Sequence, residues 1–379
     1  MAVAGKVGEF FFPNSIPFAY QTQRLVCEAP FGGGEMTEVT YALDRMTEDD
    51  FESWYEGWNW LGDIANRDGE AAIAAGNAVT ARERLFAAAN YYRSAEFFLP
   101  PDDAKMATWR NMTSAFKKAG ELMDPPFEWI DWTDDQGNEM VGYLAKPPNA
   151  SGPLPTVVYL NGADGTKEES WYLGGRPLVD RGVAVLCIEG PGQGEPLRVH
   201  ETYTRPDYEA AVTPLVDLLV ERDDVDSDRI GLVGISMGGY YAGRVASYEH
   251  RFRCVVLHGA CFNIHDDLYE NFPPIQPQLQ WITGTFEDEP AREALKEFDL
   301  GDHLGNVQSP IYVTHGADDV LVAPAAAQKT WDALTVEDKT LKIWDEAENE
   351  IGGSIHCSLD NPTQAYTEIA DWLRSRLTD

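Results

Sequence analysis

The sequence predicts a helical domain over residues 1–125 and an α/β domain, with a mainly parallel and doubly wound sheet, over residues 126–379. Apolar residues in the first part recur at three- and four-residue spacing, which is the period of a helix buried on one face. The second part alternates short, nearly continuous apolar runs with helix-like segments, as parallel strands covered on both faces do. The predicted boundary lies at Pro125-Pro126, because proline interrupts both helices and strands.

Three helices are predicted in the first part from their start and stop signals. Residues 47–50 are polar cap-forming residues that precede the first helix, and Thr80 with Glu83 forms a capping box that opens the second. The third helix covers residues 106–120 and precedes the proline pair. Aromatic residues at helical spacing line either a substrate pocket or, as this spacing favours, the core of the helical domain: Trp54, Trp58, Trp60 and Trp109.

Eight strands are predicted in the second part, two of them as a hairpin. Helix-like segments lie between the later strands, among them residues 207–222 and a last helix that begins at Asn361-Pro362. The hairpin pairs Phe127–Trp132 with Met140–Lys146, and the apolar runs are Thr156–Leu160, Val183–Ile188, Ile230–Ile235, Cys254–Leu257, Ile311–Thr314 and Leu341–Trp344.

The charge balance excludes several classes of partner. The chain has 29 basic and 63 acidic residues, a net charge of −34, and would repel nucleic-acid backbones and anionic membrane surfaces. Few of the basic residues are lysine, so the acidity fits either a salt-adapted source or an ordinary acidic protein. No apolar run is long enough to span a membrane. Residues 1–15 lack a basic segment followed by a long apolar one, so we expect no secretory signal there.

The five cysteines are scattered and have no C-x-x-C spacing, which argues against a disulfide framework or a zinc site. Cys187 and Cys254 lie inside apolar runs, where a thiol acts as a small core residue. We therefore expect a reducing, cytoplasmic location and no bound metal.

The strongest local motif is Gly234-Ile235-Ser236-Met237-Gly238, which follows an apolar strand and precedes a helix. This is the G-x-S-x-G nucleophile elbow in the strand–turn–helix context that it requires. The sharp turn exposes the serine oxygen above the sheet edge and directs helix N-terminal amides at a reacting carbonyl group. Ser236 is therefore the predicted nucleophile, against the alternative of a tight strand–helix loop.

A serine hydroxyl needs a base, and in this fold an acid and then a histidine follow the serine along the chain. His356 lies in a glycine-flanked loop before the last helix, and Asp318 and Asp319 follow an earlier strand. The H-G-x-x-D-x-x-V pattern favours Asp319 as the acid and makes Asp318 a turn residue, although both remain candidates. His315, at the strand end, is interpreted as structural.

An oxyanion hole requires two backbone donors. The N–H of Met237 is the first candidate, since this residue directly follows the nucleophile. The second is expected from the loop at residues 161–165, with Ala163 preferred and Gly162 as the alternative. This loop lacks the spacing of a phosphate-binding loop, and its acidic neighbours would repel phosphate.

Several further motifs carry a family resemblance over nearly the whole chain. The chain resembles α/β-hydrolases related to 2,6-dihydroxypseudooxynicotine hydrolase and to the fungal pigment-pathway hydrolases that shorten polyketides. The resemblance implies an α/β-hydrolase fold with an N-terminal helical cap domain that forms the substrate pocket. The motifs are Asn161–Glu169, Glu189–Glu195 and Val225–Ile230 beside the elbow, with Gly76–Glu83 and Tyr91–Phe97 in the helical part.

The resemblance implies a serine hydrolase that cleaves a carbon–carbon bond next to a ketone in an aromatic or polyketide-like β-diketone. The same residues would cleave esters, so a carboxylesterase is the alternative, and a non-catalytic receptor with this fold is a third hypothesis. Substrate choice is expected to lie in the helical domain and in residues 262–287, where His265, Asp266 or Asp267 either serves the site or caps a helix. We expect a small-molecule substrate and no cofactor. The oligomeric state stays open, with a homodimer among the alternatives.

Overall fold

The computed structural model describes residues 3–378. The chain divides into two compact units, Met1–Phe127 and Glu128–Asp379. The first unit is helical and the second contains the sheet. The six helices described in the first unit are α1 (Lys6–Phe11), α2 (Ile16–Glu28), α3 (Met36–Leu43), α4 (Phe51–Ala74), α5 (Ala78–Glu96) and α6 (Asp103–Glu121).

The predicted N-terminal cap is correct for α4 and wrong for α5. Asp50 caps α4 by accepting the N–H groups of Glu52 and Ser53, as the sequence predicted for this segment. The prediction that Thr80 opens α5 was wrong, because the helix begins at Ala78 with Asn77 at its N-cap position. Gly76 has a φ of 74°, which ends α4 and leaves only a tight turn before the next helix begins.

An aromatic cluster forms the core of the helical unit. The rings of Trp54 and Phe18 lie 4.6 Å apart, and Trp58 stacks on Tyr91 at 6.2 Å. Trp54 and Trp58 are fully buried, and the indole N–H of Trp54 donates to the carbonyl of Ser94 at 2.7 Å. The core interpretation of these tryptophans is therefore favoured over the pocket interpretation.

The second unit is built on one eight-stranded sheet in the order β1-β2-β4-β3-β5-β6-β7-β8. Strand β2 runs antiparallel to both of its neighbours. The other six strands of the sheet after β2, namely β4, β3, β5, β6, β7 and β8, run parallel to one another. The structure confirms all of the predicted strands. They are β1 (Glu128–Thr133), β2 (Glu139–Ala145), β3 (Leu154–Leu160), β4 (Ala184–Glu189), β5 (Val225–Ile235), β6 (Cys254–His258), β7 (Ile311–Gly316) and β8 (Lys339–Trp344).

Helices and short turns connect the strands of this unit, and the parallel strands β4, β6 and β7 are buried along their whole length, and therefore on both faces. The α-helices are α7 (Lys167–Ser170), α8 (Arg176–Val179), α9 (Gly194–His200), α10 (Glu209–Val220), α11 (Met237–Ala246), α12 (Gln276–Ile282), α13 (Asp288–Leu295), α14 (Ala325–Ala333), α15 (Glu346–Asn349) and α16 (Pro362–Thr378). The shorter turns of this unit are 3₁₀ at Pro273–Ile275, Leu304–Asn306 and His356–Ser358, and π at Trp171–Gly175 and His265–Tyr269; a further 3₁₀ turn at Ala29–Phe31 belongs to the first unit.

The strand order determines which loops are neighbours. Strands β4, β3 and β5 are adjacent, and parallel strands end at the same edge of a sheet. The loop at residues 161–165 after β3 therefore lies between the loop after β4 and the turn at Ser236 after β5. Strands β7 and β8 precede the segments that hold Asp319 and His356.

Candidate active site

Ser236 lies on a strained turn between β5 and α11. Its backbone has φ 55° and ψ −126°, a conformation that is costly for a residue with a side chain. Two flanking glycines make the turn sterically feasible: a Cβ on Gly234 would collide with the carbonyl of Gly238, and one on Gly238 would collide with that of Asn161. Ser236 is partly exposed, and the elbow has the local geometry that the motif predicted.

The structure brings Ser236, His356 and Asp319 into one chain of hydrogen bonds. The Oγ of Ser236 lies 2.9 Å from Nε2 of His356, and Nδ1 of that histidine lies 2.6 Å from Oδ2 of Asp319. The three residues come from separate segments, after β5, β7 and β8. The arrangement places a base beside the nucleophile and an acid behind the base.

The surroundings of the two aspartates differ. Asp319 is buried, and its Oδ1 accepts the N–H groups of Leu321 at 2.9 Å and Val322 at 3.0 Å. Asp318 is partly exposed, and its own N–H donates to the carbonyl of Ser354 at 2.8 Å. Of these two aspartates, Asp319 is the one whose carboxylate is hydrogen-bonded to His356.

His315 contacts the carboxylate of Asp319, which the structural interpretation of this residue did not include. Its Nε2 lies 3.0 Å from Oδ2 of Asp319 and 2.7 Å from the carbonyl of Val322, and the side chain is fully buried. Both neighbours are acceptors, so Nε2 carries the proton. The four-residue spacing of His315 and Asp319 after a strand was the signal that could have identified this contact.

Electrostatics couples the acid to the base. Burial acts to raise the pKa of Asp319, but His356 and His315 more than offset this and hold the carboxyl pKa well below its usual value. Burial likewise acts to lower the pKa of His356, but the charge of Asp319 beside Nδ1 raises it well above its usual value. The site therefore stabilises an ionised carboxylate next to a protonated imidazole.

The loop after β3 lies directly against Ser236. A Cβ on Gly162 would sit 3.1 Å from the Cβ of Ser236 and 3.4 Å from its Oγ. The N–H of Gly162 donates to Oδ1 of Asn161 at 2.7 Å, so the engaged amide of Gly162 is a poor candidate for the oxyanion hole. Ala163 is therefore preferred over Gly162 as the second donor, beside Met237 at the start of α11.

The segment at residues 262–287 makes local contacts near its start and contacts the loop beside Ser236 farther along. Asp267 accepts the N–H groups of Phe262 at 2.9 Å and Asn263 at 2.8 Å through Oδ2, which is local backbone capping. His265 lies 2.7 Å from the carboxylate of Asp266. Gln278 in α12 donates to the carbonyl of Ala163 at 3.0 Å, so this segment does reach the loop beside Ser236.

Gln193 also reaches this loop, and the sequence analysis did not single it out. It follows β4, and its side-chain amide donates to the carbonyl of Asn161 at 2.7 Å. Two signals were available in the sequence: its position just past a strand end at the same sheet edge, and its place in the family motif Glu189–Glu195.

Other sequence predictions concern chemistry outside this site. The five cysteines are all buried, and none of them forms a disulfide bond. Among residues 3–378 there is no group of three or more histidine, cysteine and acidic side chains placed to hold a metal ion. Within the same residues, no helix has both the length and the apolar character needed to cross a membrane.

The sheet order, the elbow and the hydrogen-bonded Ser–His–Asp arrangement define the class of α/β hydrolases. Comparison with known proteins agrees. The model of the prolyl oligopeptidase family matches residues 176–377, and the model of FrsA-like esterases matches residues 44–276. The chain belongs to the α/β hydrolases and is a hydrolytic enzyme.

Individual relatives cover most of the chain. The α/β hydrolase xenA of Xenoacremonium sinensis is 32% identical over 306 residues, 77% of this chain and 72% of that protein. The α/β hydrolase pydG of an Acremonium species is 31% identical over 340 residues, 84% of this chain and 79% of that one. The crystal structure of 2,6-dihydroxypseudooxynicotine hydrolase has a TM-score of 0.81 at 27% identity and covers 93% of this chain and 96% of its own. These findings confirm the predicted fold class and family resemblance.

Proposed function

We propose that the chain is a serine hydrolase that cleaves a carbon–carbon bond next to a ketone in an aromatic or polyketide-like β-diketone. The observation that carries the catalytic part is the hydrogen-bonded chain from Ser236 through His356 to Asp319. The substrate class is supported by the similarity to 2,6-dihydroxypseudooxynicotine hydrolase over 93% of the chain.

In the proposed mechanism, Oγ of Ser236 attacks the carbonyl carbon while Nε2 of His356 takes its proton. The amides of Met237 and Ala163 hold the oxyanion that forms. Collapse of this intermediate breaks the bond to the leaving carbon, which takes the proton back from Nε2 of His356. A water molecule then attacks the acyl-enzyme with His356 as base, which releases the carboxylic acid and restores Ser236.

The leaving group decides which bonds this mechanism can break. An alkoxide leaves readily, whereas a carbanion leaves only when its charge is delocalised as an enolate or in an electron-rich aromatic ring. A β-diketone or an activated aryl ketone meets this condition. The triad geometry is compatible with both bond types, so the pocket must discriminate between them.

Carboxylester hydrolysis is the second candidate function. Its specific support is the match of residues 44–276 to the model of FrsA-like esterases. A non-catalytic receptor is the third hypothesis, and the intact hydrogen bonds at Ser236 and His356 argue against it.

A matched pair of substrates tests the proposed bond type. We expect the protein to cleave 1-phenyl-1,3-butanedione, with loss of its enol absorbance and release of one acid and one ketone. The expected kcat/KM exceeds that for methyl benzoate, which has the same phenyl group on a single ester carbonyl. Ser236→Ala is the control for uncatalysed decay. Cleavage of the ester alone would identify a carboxylesterase, and consumption of neither compound would contradict the proposed substrate class.

We further propose that the helical unit forms walls of the substrate pocket, as the family resemblance implies. A serine at the edge of a sheet faces water unless another part of the chain covers it, and a discriminating site needs such walls. The buried tryptophans Trp54 and Trp58 form the core of that unit, so its wall residues are expected elsewhere on its surface.

Hydrogen–deuterium exchange on the intact protein tests this assignment. Labelling with a fluorophosphonate that carries a large aryl group is expected to slow amide exchange within residues 1–127, because ordered contacts suppress local opening. Labelling with a small alkyl fluorophosphonate is the control and should protect mainly the loop at 161–165. Equal exchange in residues 1–127 with both probes would show that the helices do not form the pocket.

A further inference from the structure

Gln193 connects the loop after β4 to the loop beside Ser236. The side chain is 2% exposed, and its Nε2 donates to two successive backbone carbonyls, that of Asn161 at 2.7 Å and that of Gly162 at 3.0 Å. Both hydrogens of one buried amide are thus used on one short stretch of backbone. The next residue in that stretch is Ala163.

Tyr208 determines which way the Gln193 amide faces. Its hydroxyl donates to Oε1 of Gln193 at 2.9 Å. A flipped amide would place Oε1 against two carbonyl oxygens, which is repulsive, so only one orientation satisfies all partners. Tyr208 is itself fixed, because it is fully buried and its ring stacks on Tyr241 with centroids 3.7 Å apart.

The side chain of Asn161 holds the same stretch through hydrogen bonds of its own. Its Oδ1 accepts the N–H of Gly162 at 2.7 Å, and its Nδ2 donates to the carbonyl of Thr166 and to Oε2 of Glu169, each at 3.1 Å. The carbonyl of Gly162 also accepts the N–H of Gly165 at 3.3 Å. Both polar groups of Gly162 are therefore engaged.

The consequence for Ala163 follows from peptide geometry. The carbonyl of Gly162 and the N–H of Ala163 belong to one peptide unit, and in a planar trans unit these two groups point in opposite directions. Fixing the Gly162 carbonyl on Gln193 therefore fixes the direction of the Ala163 N–H. Because Gly162 lies against Ser236, a small rotation of this unit would move the amide away from a developing oxyanion.

We propose that Gln193, oriented by Tyr208, is a positioning residue for the oxyanion hole and acts through the Gly162–Ala163 peptide. This inference rests on the proposed function, since it requires Ser236 to attack a carbonyl group. It assigns to Gln193 no contact with the substrate. Its loss should slow the step in which the oxyanion forms and leave substrate binding nearly unchanged.

The test compares Gln193→Leu, Tyr208→Phe and the exposed control Gln328→Leu in the full-length protein. The main measurement is the second-order rate of Ser236 labelling by an alkyl fluorophosphonate, whose phosphoryl oxygen develops charge as the carbonyl oxygen does. Removing one oxyanion donor lowers kcat by a factor of about 10²–10³. Gln193→Leu should displace the Ala163 N–H rather than remove it, so we expect labelling to slow about 10- to 100-fold. Tyr208→Phe should have a smaller effect, and Gln328→Leu none.

Steady-state kinetics on whichever test substrate is cleaved separates positioning from a general structural role. Gln193→Leu should lower kcat by the same factor as labelling and leave KM within about twofold. Wild-type labelling by a folded Gln193→Leu protein, or a raised KM at unchanged kcat, would overturn the inference. If Gln193→Leu does not fold, the labelling rate of Tyr208→Phe is the test, and a wild-type rate in that variant would overturn the inference. Labelling that persists in Ser236→Ala would instead contradict the proposed function itself.

Discussion

Replacing Ser236 with alanine is expected to abolish both turnover and fluorophosphonate labelling. The variant lacks the hydroxyl oxygen that lies 2.9 Å from Nε2 of His356. Loss of a serine nucleophile in such a triad lowers kcat by a factor on the order of 10⁶, to the level that binding and the oxyanion hole alone provide. Turnover of the best substrate and mass-spectrometric location of the label measure the effect.

Ser375→Ala is the matched control for this result. Ser375 is exposed on α16, and its hydroxyl donates to the carbonyl of Trp372 at 2.8 Å. We expect this variant to label and turn over as the unmodified protein does. A label that remains in Ser236→Ala would show that another group reacts, and the covalent mechanism would then have to be abandoned.

The parts of the site that the sequence predicted are those with local causes. Ser236 was predictable because the glycines that its turn requires are its neighbours in sequence, and the apolar run before it is a buried strand. His356 and Asp319 were predicted from their order along the chain after two further strands, and the structure brings both into the hydrogen-bonded chain that begins at Ser236. Each inference used a pattern a few residues long together with the known edge of a parallel sheet.

The boundary of α5 shows how a local signal misleads. Thr80 and Glu83 satisfy the capping-box pattern, but Asn77 is also a capping residue type and Ala78 and Val79 tolerate a helix. The tight turn at Gly76 fixed the start, because it left no further residues for a loop. Two competing caps three residues apart cannot be ranked from the sequence alone.

The contacts of Gln193 could not be predicted for a different reason. Gln193 and Asn161 are 32 residues apart and meet because β4 lies beside β3 in the sheet. Strand order is set by packing of the whole unit, and no residue near Gln193 encodes it. The contact of His315 with Asp319 was easier to predict from the sequence, because the two residues are only four positions apart at the end of β7.

Replacing Asp319 with asparagine is expected to lower kcat on the order of 10⁴-fold. The carboxylate accepts from Nδ1 of His356 at 2.6 Å and so holds the imidazole with Nε2 free to take the serine proton. An asparagine amide also offers a donor, which favours the opposite tautomer, and it carries no charge to stabilise the imidazolium. Single-turnover and steady-state rates of the folded variant measure the loss.

Asp318→Asn is the matched control, since it makes the same chemical change one residue earlier. Asp318 is partly exposed and makes its described hydrogen bond through the backbone, which the substitution keeps. We expect nearly unchanged turnover. The reverse ranking of the two variants would show that Asp318 is the acid and that the H-G-x-x-D register was assigned one residue too far.

The pH profile separates the charge of Asp319 from a loss of structure. His356 must be neutral to accept the serine proton, so kcat/KM should fall as the pH drops through the pKa of His356. The charge of Asp319 raises that pKa well above its usual value. Its removal in Asp319→Asn lowers the pKa, so the acid limb of the residual activity should move to lower pH. The limb of Asp318→Asn should stay in place. An unshifted limb in Asp319→Asn would mean that Asp319 does not govern the protonation of His356.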